Sequence, residues 1–267
     1  MYDNIEYIIR ANRLSNKTYV EPFAGGFAVG LELLRNGIVP KAIINDIDFH
    51  IYAFWKAVFC RTEALIDKIN STPVTIEEWK KQRNIYEKCD KRSLLKVAFS
   101  TLFLNRTNFS GVIKGGPIGG FAQKGKYKLD CRFSKKRLSN IISEISQFRD
   151  RIEIYNLDAK CFINDILSKR QKEIFVNFDP PYVKKGKCLY TNFYNSEDHK
   201  ELGTCILKDL KCDWIMTYDN EPLIKEIYRN TLYFPFDLDY SANKHVKATE
   251  LFISGKNYSH NIKFSVA

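Results

Sequence analysis

Apolar and polar residues follow two different rhythms along this chain. Residues 18–23 (T-Y-V-E-P-F) and 41–45 (K-A-I-I-N) are short β-rich runs. Residues 3–13, 27–35 and 50–60 carry apolar side chains at helical spacing. Helix, strand, a turn at Gly25-Gly26, a helix ending near Gly37, and a strand ending in Asp46 make the opening of a doubly wound parallel sheet. Residues 62–140 break that rhythm with helices at 76–88 and 92–103 and a glycine-rich loop at 105–132. The rhythm returns with a helix at 135–148, a strand at 152–156, and a helix after Asp158. A strand at 173–178, a helix at 198–210, a strand at 214–218 and a helix at 222–229 follow. Late strands at 231–236 and 250–254 are near enough for an antiparallel pair. The expected fold is therefore α/β: a doubly wound, mostly parallel seven-stranded sheet with an antiparallel C-terminal strand pair. It is built from residues 1–61 and 141–267, with 62–140 as a mainly helical insertion.

Composition narrows the class. Hydrophobic residues are 45% and charged residues 27% of the 267, the balance of a globular chain. No apolar run reaches the roughly 18 residues of a membrane span, and the first ten residues lack a signal-peptide core. The seven cysteines are odd in number and irregularly spaced, with no C-x-x-C, which predicts reduced thiols in the cytoplasm. The four histidines form no ligand pair, so no metal is expected. The net charge of +11 changes the picture more, because it is segregated. Residues 77–140 hold sixteen Lys or Arg against five Asp or Glu, an excess equal to that of the whole chain. Phe109, Phe121, Tyr127, Phe133 and several glycines are interleaved with those cations, a texture suited to loops on nucleic acid. The plainer alternative is a solvated charged face.

Two segments carry candidate chemistry. The first is Glu21-Pro22-Phe23-Ala24-Gly25-Gly26, with Gly30 after it and Asp46 twenty residues beyond Gly26. A glycine turn from strand to helix lets backbone approach a ligand, and an acid ending the next strand suits ribose hydroxyls. The spacing is G-G-x-x-x-G rather than the dinucleotide pattern G-x-G-x-x-G, and an ordinary βα turn would look similar. The second is Asp179-Pro180-Pro181-Tyr182, directly after an apolar strand. Two prolines lack backbone donors and hold the chain extended. They present the Asp179 carboxylate and the Pro180 carbonyl as fixed acceptors at the ligand-binding edge of a parallel sheet, with the Tyr182 ring beside them. Two acceptors and an aromatic plate suit an exocyclic amine on a planar base. Accepting both N–H groups draws the amine toward tetrahedral geometry and frees its lone pair for an electrophile.

At these residues the chain resembles the Dam-like DNA adenine N6-methyltransferases, whose glycine turn binds S-adenosyl-L-methionine and whose D-P-P-Y holds a flipped adenine. The likeness runs from about residue 18 to 255. It includes Leu104-Asn105-Arg106-Thr107-Asn108-Phe109-Ser110-Gly111, Thr217-Tyr218-Asp219-Asn220 and Thr249-Glu250-Leu251-Phe252-Ile253. The resemblance implies that 1–61 and 141–267 are the catalytic methyltransferase domain and that 62–140 recognises the target. It implies that Glu21, Pro22, Phe23, Ala24, Gly25 and Gly26 meet the methionine end of the cofactor. Asp46 would hold the ribose, Asp158 would face the cofactor's adenine, and Asp179, which also borders the cofactor, would grip the target base with Pro180, Pro181 and Tyr182. Double-stranded DNA would meet Asn105, Arg106, Asn108, Lys114, Lys124, Lys126, Lys128 and Arg132. A restriction-modification or phage setting, with a cognate restriction endonuclease as candidate partner, follows from the same resemblance; no membrane and no metal partner is expected.

Two departures mark this chain. The family's N-terminal G-G-K is absent from its Met1-Tyr2-Asp3 start, which implies a truncated beginning or a weakly held cofactor. Residues 113–132 differ from Dam, so a GATC target does not carry over. The competing readings are an RNA adenine or DNA cytosine-N4 methyltransferase, a DNA-binding relative that has lost catalysis, and, more distantly, a nicotinamide oxidoreductase.

Overall fold

The computed structural model describes residues 1–184, 194–240, 246–256 and 258; Cys188, His245 and His260 lie outside them. The chain divides into two compact units, Met1–Ile47 with Arg151–Ala267, and Asp48–Asp150.

The first unit is built on one sheet of seven strands in the order β3-β2-β1-β4-β5-β7-β6. These are β1 (Thr18–Glu21), β2 (Ala42–Asn45), β3 (Ile152–Tyr155), β4 (Ile174–Phe178), β5 (Asp213–Asp219), β6 (Leu232–Tyr240) and β7 (Val246–Ser254). The first five pair with one another in parallel. β7 runs antiparallel to both β5 and β6, which is the expected C-terminal pair, though each strand is nine residues long. The strand order reverses direction between β1 and β4, and that reversal opens the crevice in which such sheets bind ligands.

Local sequence explains the central strands. All five residues of β4 are buried, the continuous apolar run of a strand covered on both faces. Its one polar member, Asn177, donates to the Tyr19 hydroxyl at 2.9 Å and so carries no unmet amide into the core. Val20, Ile43, Val176, Phe178 and Met216 pack with Phe162 and Ile163 of α8 (Ala159–Asp165) and Leu202 and Ile206 of α9 (Ser196–Asp209). The other α-helices of this unit among the described residues are α1 (Tyr2–Ala11), α2 (Ala28–Arg35) and α10 (Pro222–Ile227).

The second unit consists of helices α3 (Phe49–Cys60), α4 (Thr62–Ser71), α5 (Ile76–Lys88), α6 (Leu94–Thr107) and α7 (Lys135–Ser146), joined by short 3₁₀ turns and the glycine-rich loop. Its central member is α6, buried continuously from Val97 to Leu104. This unit is wider than the 62–140 insertion expected. α3, expected with the sheet, packs on α6, α4 and α7, so its apolar face belongs to the helical core. Asn105 and Arg106, expected on a loop, lie in the last turn of α6. Hydroxyls that would disfavour a helix are absorbed here: Thr101 and Thr107 donate to the carbonyls of Val97 and Phe103 one turn earlier.

Candidate active site

The turn after β1 is held from below. Gly25 takes φ +45°, a left-handed conformation that costs glycine little, and its N–H donates to Asp46 Oδ2 at 3.0 Å. Ala24 N–H bonds the Asn45 carbonyl at 2.9 Å. A Cβ on Gly25 or Gly26 would meet nothing within 4 Å, so the turn borders open space. Gly30 differs. A Cβ there would strike the Phe27 ring at 1.9 Å, and its N–H donates to Glu21 Oε1 at 3.2 Å. Gly30 is thus demanded by packing and not by ligand approach.

Asn45 is a central organiser that sequence spacing did not single out. Buried at the end of β2, it donates to the carbonyls of Pro22 and Leu157 at 3.0 Å each and accepts from Leu157 N–H at 2.9 Å. One amide thereby ties the segments leaving β1 and β3 together. Asn156 adds bonds to the carbonyls of Asp46 and Ile47 at 2.7 and 3.1 Å. Asp158 caps α8, its Oδ1 accepting from Lys160 N–H at 2.9 Å, so part of the carboxylate expected to face an adenine ring serves the helix.

The D-P-P-Y segment leaves β4 beside β5, and two further acids, Asp219 and Glu250, hold it. Asp179 Oδ1 accepts from Thr217 Oγ1 at 3.0 Å. Asp219, at the end of β5, accepts the N–H groups of Val183 and Lys184 at 3.0 and 2.9 Å, anchoring the chain just past Tyr182. The Tyr182 hydroxyl donates to Glu250 Oε2 at 2.8 Å, and its ring lies 6.2 Å from that of Tyr218. Pro180 and Pro181 are buried. Nearby, the aromatic pairs Phe23–Tyr194, Tyr194–His199 and His199–Tyr218 form a continuous chain.

Electrostatics sets these carboxylates apart from ordinary ones. Asp179 offers surface to solvent, yet the protein crowded around its carboxyl raises its pKa to about 6; the Thr217 hydrogen bond works against this and the charge of Glu250 adds to it. Glu21 is buried and pushed up to about 8, first by desolvation and finally by the charge of Asp179, with bonds from Tyr19 and Gly30 opposing. Perturbed acids gathered at the ligand edge of a parallel sheet are the pattern of a chemical site rather than a packing core.

In the helical unit, the cation-rich loop is anchored by buried Ile118, Leu129 and Phe133, while Phe109, Phe121 and Tyr127 are 64%, 60% and 63% exposed. Lys114, Lys124, Lys126 and Lys128 are exposed as well. Arg106 donates to the Arg132 carbonyl at 3.0 Å and Arg132 to the Asn105 carbonyl at 3.2 Å, so these guanidinium groups are fixed by backbone. Burial lowers the pKa of Arg106, as do the charges of Arg132 and Arg137. Asn108 corrects an expectation. It is fully buried; its oxygen accepts Trp79 Nε1–H at 2.7 Å, and its amide donates to the carbonyls of Val112 and Ile113 at 3.0 and 2.9 Å. Such an amide shapes the loop and has no reach to a nucleic acid. No cluster of metal-ligating side chains and no helix long and apolar enough to cross a membrane occurs among the described residues.

Comparison with known proteins agrees with this chemistry. Residues 1–243 match the model of the D12 class N6 adenine-specific DNA methyltransferases. A relative, the Type II methyltransferase M.MjaIII of Methanocaldococcus jannaschii, is 28% identical over 205 residues, covering 70% of this chain and 68% of its own. Solved structures similar to the chain include the rRNA methyltransferase aviRa of Streptomyces viridochromogenes (10% identity, TM-score 0.37, 92% of this chain and 83% of that one). A SAM-dependent methyltransferase of Agrobacterium tumefaciens is similar too (10% identity, TM-score 0.38, 93% and 61%). With a family match extending from the first residue to beyond the sheet's fifth strand, this chain belongs to the D12 class of N6 adenine-specific DNA methyltransferases and methylates the N6 amine of adenine in DNA.

Proposed function

We propose that the methyl donor is S-adenosyl-L-methionine, held between the β1 turn and Asp46, and that the acceptor is an adenine flipped out of duplex DNA against Tyr182. The observation that carries this reading is the adjacency of β1 and β4 at the strand-order reversal, which brings the glycine turn and Asp179 out on neighbouring parallel strands. The turn suits the donor: it is free of side chains at Gly25 and Gly26, open for at least 4 Å, and flanked by an acid on β2. Glu21, Pro22, Phe23 and Ala24 line its approach, and Asp46 suits ribose hydroxyls while it also holds Gly25 N–H. Bound there, the donor would supply a sulfonium methyl for the N6 nitrogen, its S–CH3 bond breaking to leave S-adenosylhomocysteine.

The chain's own residues do the rest. The Asp179 carboxylate and Pro180 carbonyl accept the two N–H groups of the amine and turn its lone pair toward the methyl. Asp179, with a pKa near 6, is ionised at neutral pH and basic enough to take the amine proton after transfer. Thr217 steadies one carboxylate oxygen so that the other can serve the amine. Tyr182 offers the ring on which the extruded base stacks, offsetting part of the few kcal/mol that unstacking costs. The unit Asp48–Asp150 reads the target, with Asn105, Arg106, Lys114, Lys124, Lys126, Lys128 and Arg132 facing the duplex. The relative's printed name places it in the Type II class, which supports a restriction-modification role in the cytoplasm beside a cognate endonuclease.

Labelled-methyl transfer from S-adenosyl-L-methionine to duplex DNA, with structured RNA in parallel, tests this. Label recovered as N6-methyladenine in DNA is the expected result. Transfer to RNA alone, or no dependence on this donor, overturns it.

A further inference from the structure

β7 carries a carboxylate where packing calls for an apolar side chain. Glu250 is 1% exposed and stands opposite Asp219 in the β5–β7 register. Its neighbours Leu251, Phe252 and Ile253 are all buried apolar residues. Burying an ionisable group is costly unless it is well engaged, and Glu250 engages the hydroxyl of Tyr182 at 2.8 Å. The backbone around Tyr182 is constrained already. Two prolines with fixed φ precede the residue, and Asp219 binds the two N–H groups that follow it. The rotation of the ring is left to side-chain contacts: it packs beside Tyr218 and the core on its faces, and its hydroxyl reaches β7. Its hydroxyl is the handle on which a rotation can be set, and β7 supplies the acceptor.

We propose that Glu250 is a positioning residue for methyl transfer: by holding the Tyr182 hydroxyl it fixes the plane of the ring against which the adenine stacks. This rests on the reading of Tyr182 given above. It gives the antiparallel end of the sheet a part in the reaction. A second consequence follows from charge. Asp179 is faced by Glu21 and Tyr19 from β1, by Tyr218 from β5, by Tyr182 on its own segment, and by Glu250 from β7. The Glu250 charge opposes ionisation of Asp179, so its removal lowers the Asp179 pKa.

The test uses the full chain and separate kcat and DNA KM values from labelled-methyl transfer, with a pH profile. Tyr182→Phe and Glu250→Leu are each expected to lower kcat about ten- to a hundredfold with little change in DNA KM, as a misaligned reactant does. The double variant should be no slower than Tyr182→Phe alone, because Tyr182→Phe already removes the bond to Glu250, together with the interaction of the hydroxyl with Asp179. Glu250→Gln keeps an acceptor oxygen without the charge, so it should recover most of kcat and move the acid limb of the profile to lower pH. Losses that multiply in the double variant, or a Glu250→Gln enzyme as slow as Glu250→Leu with an unmoved acid limb, overturn the proposal. Should Glu250→Leu fail to fold, Tyr182→Phe and Glu250→Gln decide together: a full-rate Tyr182→Phe enzyme, or a Glu250→Gln enzyme as slow as Tyr182→Phe with an unmoved acid limb, sinks the idea. Wild-type protein that transfers nothing to DNA from this donor would instead overturn the reading of donor and substrate, so the two failures are told apart.

Discussion

The ligand edge of the sheet and the glycine-rich loop of the helical unit are both polar, but they use polar side chains in opposite ways. At the sheet edge Asn45, Asp219 and Glu250 are buried, and each binds groups far away in sequence. In the loop, Lys114, Lys124, Lys126 and Lys128 stand exposed, with Phe109, Phe121 and Tyr127 among them. Chemistry on one amine needs acceptors fixed to fractions of an ångström, which buried side chains held by long-range hydrogen bonds supply. Attraction to a polyanion needs only charge near its phosphates, and exposed flexible cations suffice. Substitutions that fall on one side or the other should therefore separate rate from affinity.

The largest separation is expected at Asp179. Asp179→Ala should lower kcat about 10²–10⁴-fold, the range for a lost acid–base or positioning group, with DNA affinity in gel-shift titrations nearly unchanged. Wild-type turnover should rise through an acid limb as pH passes about 6, where Asp179 loses its proton. An Asp179→Ala enzyme at full rate breaks the comparison, and so does one whose main defect is DNA binding.

Next comes Asn108, the residue that crosses the comparison: loop-side in sequence, but core-like in its bonds. Asn108→Ala strands the Trp79 indole N–H and the carbonyls of Val112 and Ile113. It should cost about 1–3 kcal/mol of stability by urea unfolding, with the salt dependence of DNA binding unchanged. A changed salt slope in a fully folded variant would return Asn108 to the contact surface.

Asn108 also shows where legibility in sequence ended. The seven strands, the glycine turn, the D-P-P-Y and the antiparallel pair were readable, because each is a local pattern of apolar period, glycine or proline. Residues whose role lies in distant partners were not. Asn45 acts on Leu157, 112 positions away, and Tyr182 on Glu250, 68 positions away; no spacing rule announces either. α4 was missed for a local reason. A single residue, Arg61, separates it from α3, and Arg61 provides no side-chain cap, so the start signal is lacking. The last turn of α6 reads as loop in sequence because its Asn, Arg and Thr look helix-averse until their hydrogen bonds are seen.

A smaller effect separates the two regions by pH. Glu21 has a folded-state pKa of about 8 against 4.5 for an ordinary glutamate. Between those values the folded chain binds the proton better than the unfolded one. Its contribution is therefore full below pH 4.5 and is lost as pH rises through 8. Glu21→Gln should flatten the fall in urea midpoint between those limits, and the loop cations should leave it alone. A wild-type midpoint that instead rises across this interval, with Glu21→Gln abolishing the rise, would reverse the sign.

The smallest expected effect is at a single loop cation. Lys126 is exposed, and its ammonium lies 5.7 Å from the Tyr127 ring centroid, so its internal bonding is weak. Lys126→Ala should leave the urea midpoint and kcat at saturating DNA in place. It should reduce the slope of log affinity against log salt by about 1, the signature of one phosphate contact released. An unchanged slope would show that this lysine belongs to the solvated face. A lowered kcat at saturation would mean that the loop shapes the chemistry as well as the encounter, and the division of labour between the two regions would have to be redrawn.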